Sequence, residues 1–175
     1  MTGPRLRRWV VPAAIAGALA AADDVRAQPV GPLFFHPVEP CRLLDTRTSS
    51  GGPALTTDTP EPPPPAPPMA SSVVRPIQVR GFGTCAIAAE AAAVVYNLTV
   101  VAQPFTGHLT LYPSDVAVPV TSSLNFPPST TIANGGIVRL NTAAMQDLKV
   151  RLFLGGAPVG SQAHIVIDVT GYFAP

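Results

Sequence analysis

Along most of the chain apolar residues recur at every second position, in runs ended by glycine, proline, asparagine or serine. The clearest is Ala163-His164-Ile165-Val166-Ile167-Asp168-Val169. On an extended segment Ile165, Ile167 and Val169 share one face, and His164, Val166 and Asp168 share the other. Runs of this kind predict strands at Val73–Val79, Ala92–Val101, His108–Tyr112, Ile132–Leu140, Leu148–Leu154 and Ala163–Phe173. Turn chemistry punctuates them, as at Arg80-Gly81, Pro104-Phe105-Thr106-Gly107, Asn134-Gly135-Gly136 and Gly155-Gly156. Upstream, Leu33–Val38 and Cys41–Thr46 predict two short strands split by a proline turn. Pro37 and Pro40 lack amide hydrogens, which confines this region to a sheet edge or a bend. Helical spacing occurs only around Cys85–Ala93 and allows a short accessory turn. No internal repeat stands out. The whole pattern predicts an all-β fold, a single β-sandwich of Ig-like or jelly-roll-like kind.

Two stretches depart from this pattern. Residues 1–27 have a basic start (Arg5, Arg7, Arg8), an apolar run from Trp9 to Ala22, and a small-residue site at Val25-Arg26-Ala27. They read as a secretory signal peptide, with Gln28 first in the exported product. The apolar run is about 14 residues, short of the roughly 20 that span a bilayer, and Asp23 and Asp24 follow it, so no permanent membrane span is expected. Residues 28–175 then form a single domain of ordinary size. Within it, about 49–70 is turn-rich and then proline-rich, centred on Glu61-Pro62-Pro63-Pro64-Pro65-Ala66-Pro67-Pro68. This is expected to be an extended polyproline II loop on the surface, a spacer and not a domain boundary.

Charge narrows the function classes. Without the leader, seven basic residues stand against eight acidic ones, a net charge of −1. That excludes a basic nucleic-acid footprint. Charged residues make up about a tenth of the domain, where roughly a quarter is usual. The exterior must then be neutral and polar, or be covered by copies or partners. The cysteines are Cys41 and Cys85. In an oxidising compartment they are expected to pair, closing a loop of about 44 residues worth roughly 4 kcal/mol in the chain-entropy model.

Four segments occur in order along the domain: Pro40-Cys41-Arg42-Leu43-Leu44-Asp45-Thr46-Arg47, Ala93-Val94-Val95-Tyr96-Asn97-Leu98-Thr99-Val100, Leu124-Asn125-Phe126 with Ala133-Asn134, and His164-Ile165-Val166-Ile167-Asp168-Val169-Thr170-Gly171-Tyr172-Phe173. Together they resemble a family of secreted bacterial β-rich modules that open on P-C-R-L-L-D-T-R and close on H-x-x-x-D-V-x-G-Y-F. The resemblance spans about Phe34 to Phe173 and implies secretion and a β fold. It implies no reaction, and the proline run is an insertion relative to the usual pattern.

Few residues suggest chemistry. Asp45 and Arg47 lie two apart and share a side on a regular strand, so Asp45 can accept turn amides while Arg47 meets a carboxylate. Asp168, set in an apolar strand, is the natural partner. The expected result is a structural clasp of Asp45, Arg47 and Asp168 joining the first and last strands; a ligand-binding carboxylate pair is the sharper alternative. His36, His108 and His164 are scattered and form no metal motif, so no metal or cofactor is expected. No Gly-x-Ser-x-Gly occurs, and several carboxylates (Asp58, Glu61, Asp115, Asp147) sit in turn-like contexts, so no catalytic residues are assigned. Asn97-Leu98-Thr99 matches a glycosylation sequon but falls within a strand. The single tryptophan, Trp9, belongs to the leader, which leaves Tyr96, Tyr112 and Tyr172 as ring surfaces for a ligand, if they are not core or sheet-edge residues.

These features lead to a non-enzymatic extracellular or cell-surface module for adhesion, envelope association or assembly, periplasmic in a host with two membranes. A lectin-like carbohydrate-binding domain is the alternative, and an exported hydrolase the third reading. The partners to expect are a second copy of the chain, an envelope component or a glycan.

Overall fold

The computed structural model describes residues 31–47, 66–81, 85–141 and 146–175. The expected leader, and most of the expected proline loop, lie outside them. Every regular element among the described residues is a strand. In chain order these are β1 (Phe34–Asp45), β2 (Met69–Ala70), β3 (Val74–Ile77), β4 (Ala93–Val100), β5 (Gly107–Pro113), β6 (Leu124–Phe126), β7 (Ile132–Arg139), β8 (Leu148–Leu154), β9 (Gln162–Ala163) and β10 (Ile165–Ala174).

The strands form a β-sandwich. One four-stranded sheet has the order β1-β10-β4-β7, and the other β3-β8-β5-β6, with β2-β9 as a two-stranded link. All pairings are antiparallel, and they nest: β5 with β6, β4 with β7, β3 with β8, β2 with β9, β1 with β10. The chain is thus one long folded-back ribbon rolled until β10 also meets β4 and β5 also meets β8. This is the strand order of a jelly roll, which decides between the two sandwich types that the sequence left open.

Alternation explains the core. Val94, Tyr96, Leu98 and Val100 of β4 point inward, as do Leu148, Val150, Leu152 and Leu154 of β8 and Ile165, Ile167 and Val169 of β10. Leu98, Leu109, Leu152, Ile165 and Ile167 are wholly buried. Burial of each such side chain contributes on the order of 2 kcal/mol.

Three expectations are corrected. The region around Pro37 and Pro40 is one edge strand with register shifts, not two strands split by a turn. Asn134-Gly135-Gly136 is no turn; it runs through the middle of β7 opposite Leu98, Asn97 and Tyr96. Gly136 is required there because the Tyr96 ring lies against it: a Cβ at 136 would stand 2.7 Å from the tyrosine oxygen. The expected proline loop, taken to about residue 70, ends earlier, because Met69 is fully buried and pairs with Ala163. The short strands β2, β6 and β9 are too brief for alternation to reveal.

Candidate functional site

The outer face of the β1-β10-β4-β7 sheet carries the motif residues, and its registers arrange them in rows. Across the four strands one row reads Pro37, Gly171, Val95, Ile137; the next reads Arg42, Asp168, Asn97, Gly135; the third reads Asp45, Val166, Thr99, Ala133. Directly opposed residues on one face stand close enough for their side chains to interact.

The charged residues form a chain of ion pairs. Arg42 donates from Nε to Asp168 Oδ1 at 2.8 Å, from Nη2 to Asp168 Oδ2 at 3.3 Å, and from Nη1 to Asp45 Oδ2 at 2.8 Å. Arg47 donates to Asp45 through Nε at 2.9 Å, Nη2 at 2.7 Å and its backbone N–H at 2.9 Å. Asp45 is buried at 3% exposure yet fully paired. Hydrogen bonds from Arg47, with the nearby charges of Arg47 and Arg42, outweigh the cost of burial and hold its carboxyl at about 2, against an ordinary 3.8.

From sequence, Arg47 is expected to meet a carboxylate, with Asp168 as the partner. In the structure Arg47 lies on Asp45 instead, and the bond across to Asp168 comes from Arg42, which strand alternation does not single out. The reason is a register shift between Arg42 and Leu44. Residues three apart on a regular strand face opposite ways, but the bulge brings Arg42 and Asp45 to one side. The adjacent pair Leu43 and Leu44, both buried, is the sequence trace of that bulge.

A second irregularity shapes the space beside the pair. Between the matched pairs Pro37–Gly171 and Cys41–Val169, strand β1 carries Val38, Glu39 and Pro40 opposite Thr170 alone. Both strands leave the ladder there, and an open groove of about 570 Å³ results, lined by Pro40, Cys41, Arg42, Asn97, Asp168 and Thr170. Cys41 is tied to Cys85, with Cα atoms 5.3 Å apart, so the expected disulfide anchors the groove wall to the segment entering β4.

At the far end of β1, Thr46 and His164 close the clasp. Ile165 N–H donates to Thr46 Oγ1 at 2.8 Å, and His164 Nδ1 lies 2.7 Å from the Thr46 carbonyl oxygen. Thr46 carried no signal of its own in sequence beyond its motif, and His164 stood out only as one of three scattered histidines. His36 stacks on Tyr172, with ring centroids 5.0 Å apart, and His108 stacks on Phe153 at 5.1 Å. The three histidines are therefore separately engaged. Among the described residues no group of three or more His, Cys, Asp or Glu could hold a metal ion, and no helix is long and apolar enough to cross a membrane.

The tyrosine platform is corrected. Tyr96 and Tyr112 are buried at 8% and 3% exposure, and Tyr172 is half-buried against His36 and the core. Tyr96 fills the interior with Val94 and Leu98, while Tyr112, though covered, lies on the other side of β5 from Leu109 and Leu111.

No family model, curated protein or solved structure matches the chain. The geometry of the groove is thus the main guide to what this face does. Asn97 and Thr170 make no side-chain hydrogen bond to another described residue, while Asp168 and Arg42 keep hydrogen-bonding capacity toward the groove.

Proposed function

We propose that this chain is a non-enzymatic exported module that acts by adhesion, envelope association or assembly, and that its working surface is the outer face of the β1-β10-β4-β7 sheet. One observation carries the reading: the ionised groups of that face neutralise one another, and the paired Arg42 and Asp168 line an open groove together with the uncharged Asn97 and Thr170. Asp45, held ionised by two guanidinium groups, is a poor proton donor or acceptor at neutral pH. Such a face suits recognition better than acid–base chemistry. The disulfide supports an oxidising compartment, and the first 27 residues supply the export signal. The resemblance of the opening and closing segments to secreted modules agrees with this reading, since most of the charged and polar residues of those segments are used in joining β1 to β10.

Purified protein is incubated with isolated cell envelopes and sedimented, beside a broad hydrolase screen and light scattering at rising concentration. Saturable sedimentation or self-association without turnover is expected, and the secreted product is expected to begin at Gln28. A strict monomer that ignores envelopes, or one that turns over a substrate, would overturn the reading.

A further inference from the structure

Three features of the groove define the ligand, on the premise that this face is the binding surface. The first is charge. Arg42, Arg47, Asp45 and Asp168 sum to zero, so the groove does not select an ion. The second is mixed hydrogen-bonding capacity at short spacing. A guanidinium has five N–H donors, and Arg42 directs one each from Nε, Nη1 and Nη2 into the ion pairs, which leaves spare donors. Asp168 retains acceptor positions, its cross-strand neighbour Asn97 offers a donor and an acceptor, and the extruded Thr170 offers a hydroxyl. The third is an aromatic face outside the groove's lining but next to it along β10. The Phe35 ring lies over Gly171, the residue after Thr170: a Cβ at 171 would come within 2.3 Å of the ring. At 51% exposure Phe35 has one side against the sheet and the other open to solvent. Phe173, with its centroid 5.5 Å away, supports it from the neighbouring strand.

A polar floor of acceptors and donors beside an open ring matches a molecule with one hydroxyl-bearing edge and one C–H face. We propose that the groove binds a neutral carbohydrate, its pyranose C–H face on Phe35 and its hydroxyls read by Asp168, Asn97, Thr170 and Arg42. The electron-rich ring face attracts the slightly positive C–H groups, and readers whose charges cancel in the Arg42–Asp168 pair recognise adjacent hydroxyls without charge selection. The volume is in the range of small-molecule sites and accommodates one or two sugar rings.

The test is a titration of the isotope-labelled full protein with cellobiose, maltose, chitobiose and trehalose, and with solubilised cell-wall polysaccharide, followed by amide NMR shifts. Saturable shifts confined to Asn97, Asp168, Thr170, Gly171 and Phe35 are expected for at least one probe. Phe35→Ala and Asn97→Ala are each expected to weaken it about tenfold, and Phe35→Trp to retain it, all three keeping a dispersed spectrum. Absence of shifts with every probe, or shifts that survive both alanine variants, would overturn the inference. If envelopes are still bound and saccharides neither bind nor compete, the carbohydrate assignment falls and the wider function stands; if envelope binding and self-association are also absent, the wider function falls.

Discussion

Arg42 and Asp168 face each other in the register of β1 and β10, joined by a 2.8 Å hydrogen bond across 126 positions of sequence. The pair fastens the outermost turn of the nested ribbon, where the first and last long strands meet. It is an exposed pair, with side chains 45% and 25% accessible, whereas the Asp45 side chain beneath it is at 4%. That difference sets the order of energies.

Arg42→Ala is expected to cost about 1 kcal/mol, because exposed pairs contribute little and Asp45 keeps Arg47. Asp45→Ala is expected to cost about 3 kcal/mol, since it removes a buried acceptor and leaves two guanidinium groups and the Arg47 amide without it. Urea denaturation of both variants checks the order, and an Arg42→Ala loss equal to that of Asp45→Ala would mean that the outer pair carries the clasp.

Asp45 also sets an acid limit. Its folded value of about 2 is depressed below the ordinary 3.8, so its contribution is present above about pH 4 and is lost as pH falls toward 2. The expected loss over that window is about 2 kcal/mol. Asp45→Asn is less stable at pH 7 and has a shallower fall between pH 4 and 2; an unchanged slope in the melting temperature against pH would refute the assignment.

The disulfide predicts non-additivity. Cys41→Ser and Cys85→Ser should each lower stability by roughly 4 kcal/mol, and the double variant should lose no more than either single one. Calorimetry with and without reductant checks this, the reduced parent behaving like the variants.

A second buried carboxylate offers a contrast away from the groove. Asp147, at 1% exposure, accepts the backbone N–H groups of Val79 at 2.7 Å and Arg80 at 2.9 Å, and Arg80 Nε at 2.7 Å. It pins the end of β3 to the entry of β8. Asp147→Ala is expected to cost about 3–5 kcal/mol and to leave groove binding unchanged in whatever fraction remains folded. Loss of sedimentation with envelopes in a well-folded Asp147→Ala protein would contradict the separation of the two sites.

Two neighbouring glycines test the packing of Tyr96. Gly136→Ala places a methyl 2.7 Å from the tyrosine oxygen and is expected to cost about 1–3 kcal/mol. Gly135→Ala meets only the Tyr96 carbonyl oxygen at 3.4 Å and should change the melting temperature little. Equal effects would show that backbone freedom, and not the ring, demands glycine at 136.

Alternation along β4, β8 and β10 marked their inward faces before any tertiary information, because a pleated strand turns successive side chains to opposite sides and only one side can be dry. The all-β class and the long strands were legible for that reason, and the missing amide hydrogens of Pro37 and Pro40 narrowed the first segment to a sheet edge or a bend. Cys41 and Cys85 were legible as the available thiols. What sequence could not settle depends on register and on pairing between distant strands. A bulge moves Arg42 next to Asp45 and extrudes Thr170, and a single shifted residue reverses which side chains share a face. The nesting of β1 with β10 around β2 with β9, which chooses the jelly roll, depends on which backbone edges meet after collapse. The Phe35 ring found its place only because Gly171, 136 positions away, leaves room beneath it. Local spacing determines strands; the partner across the sheet decides what each outward side chain touches.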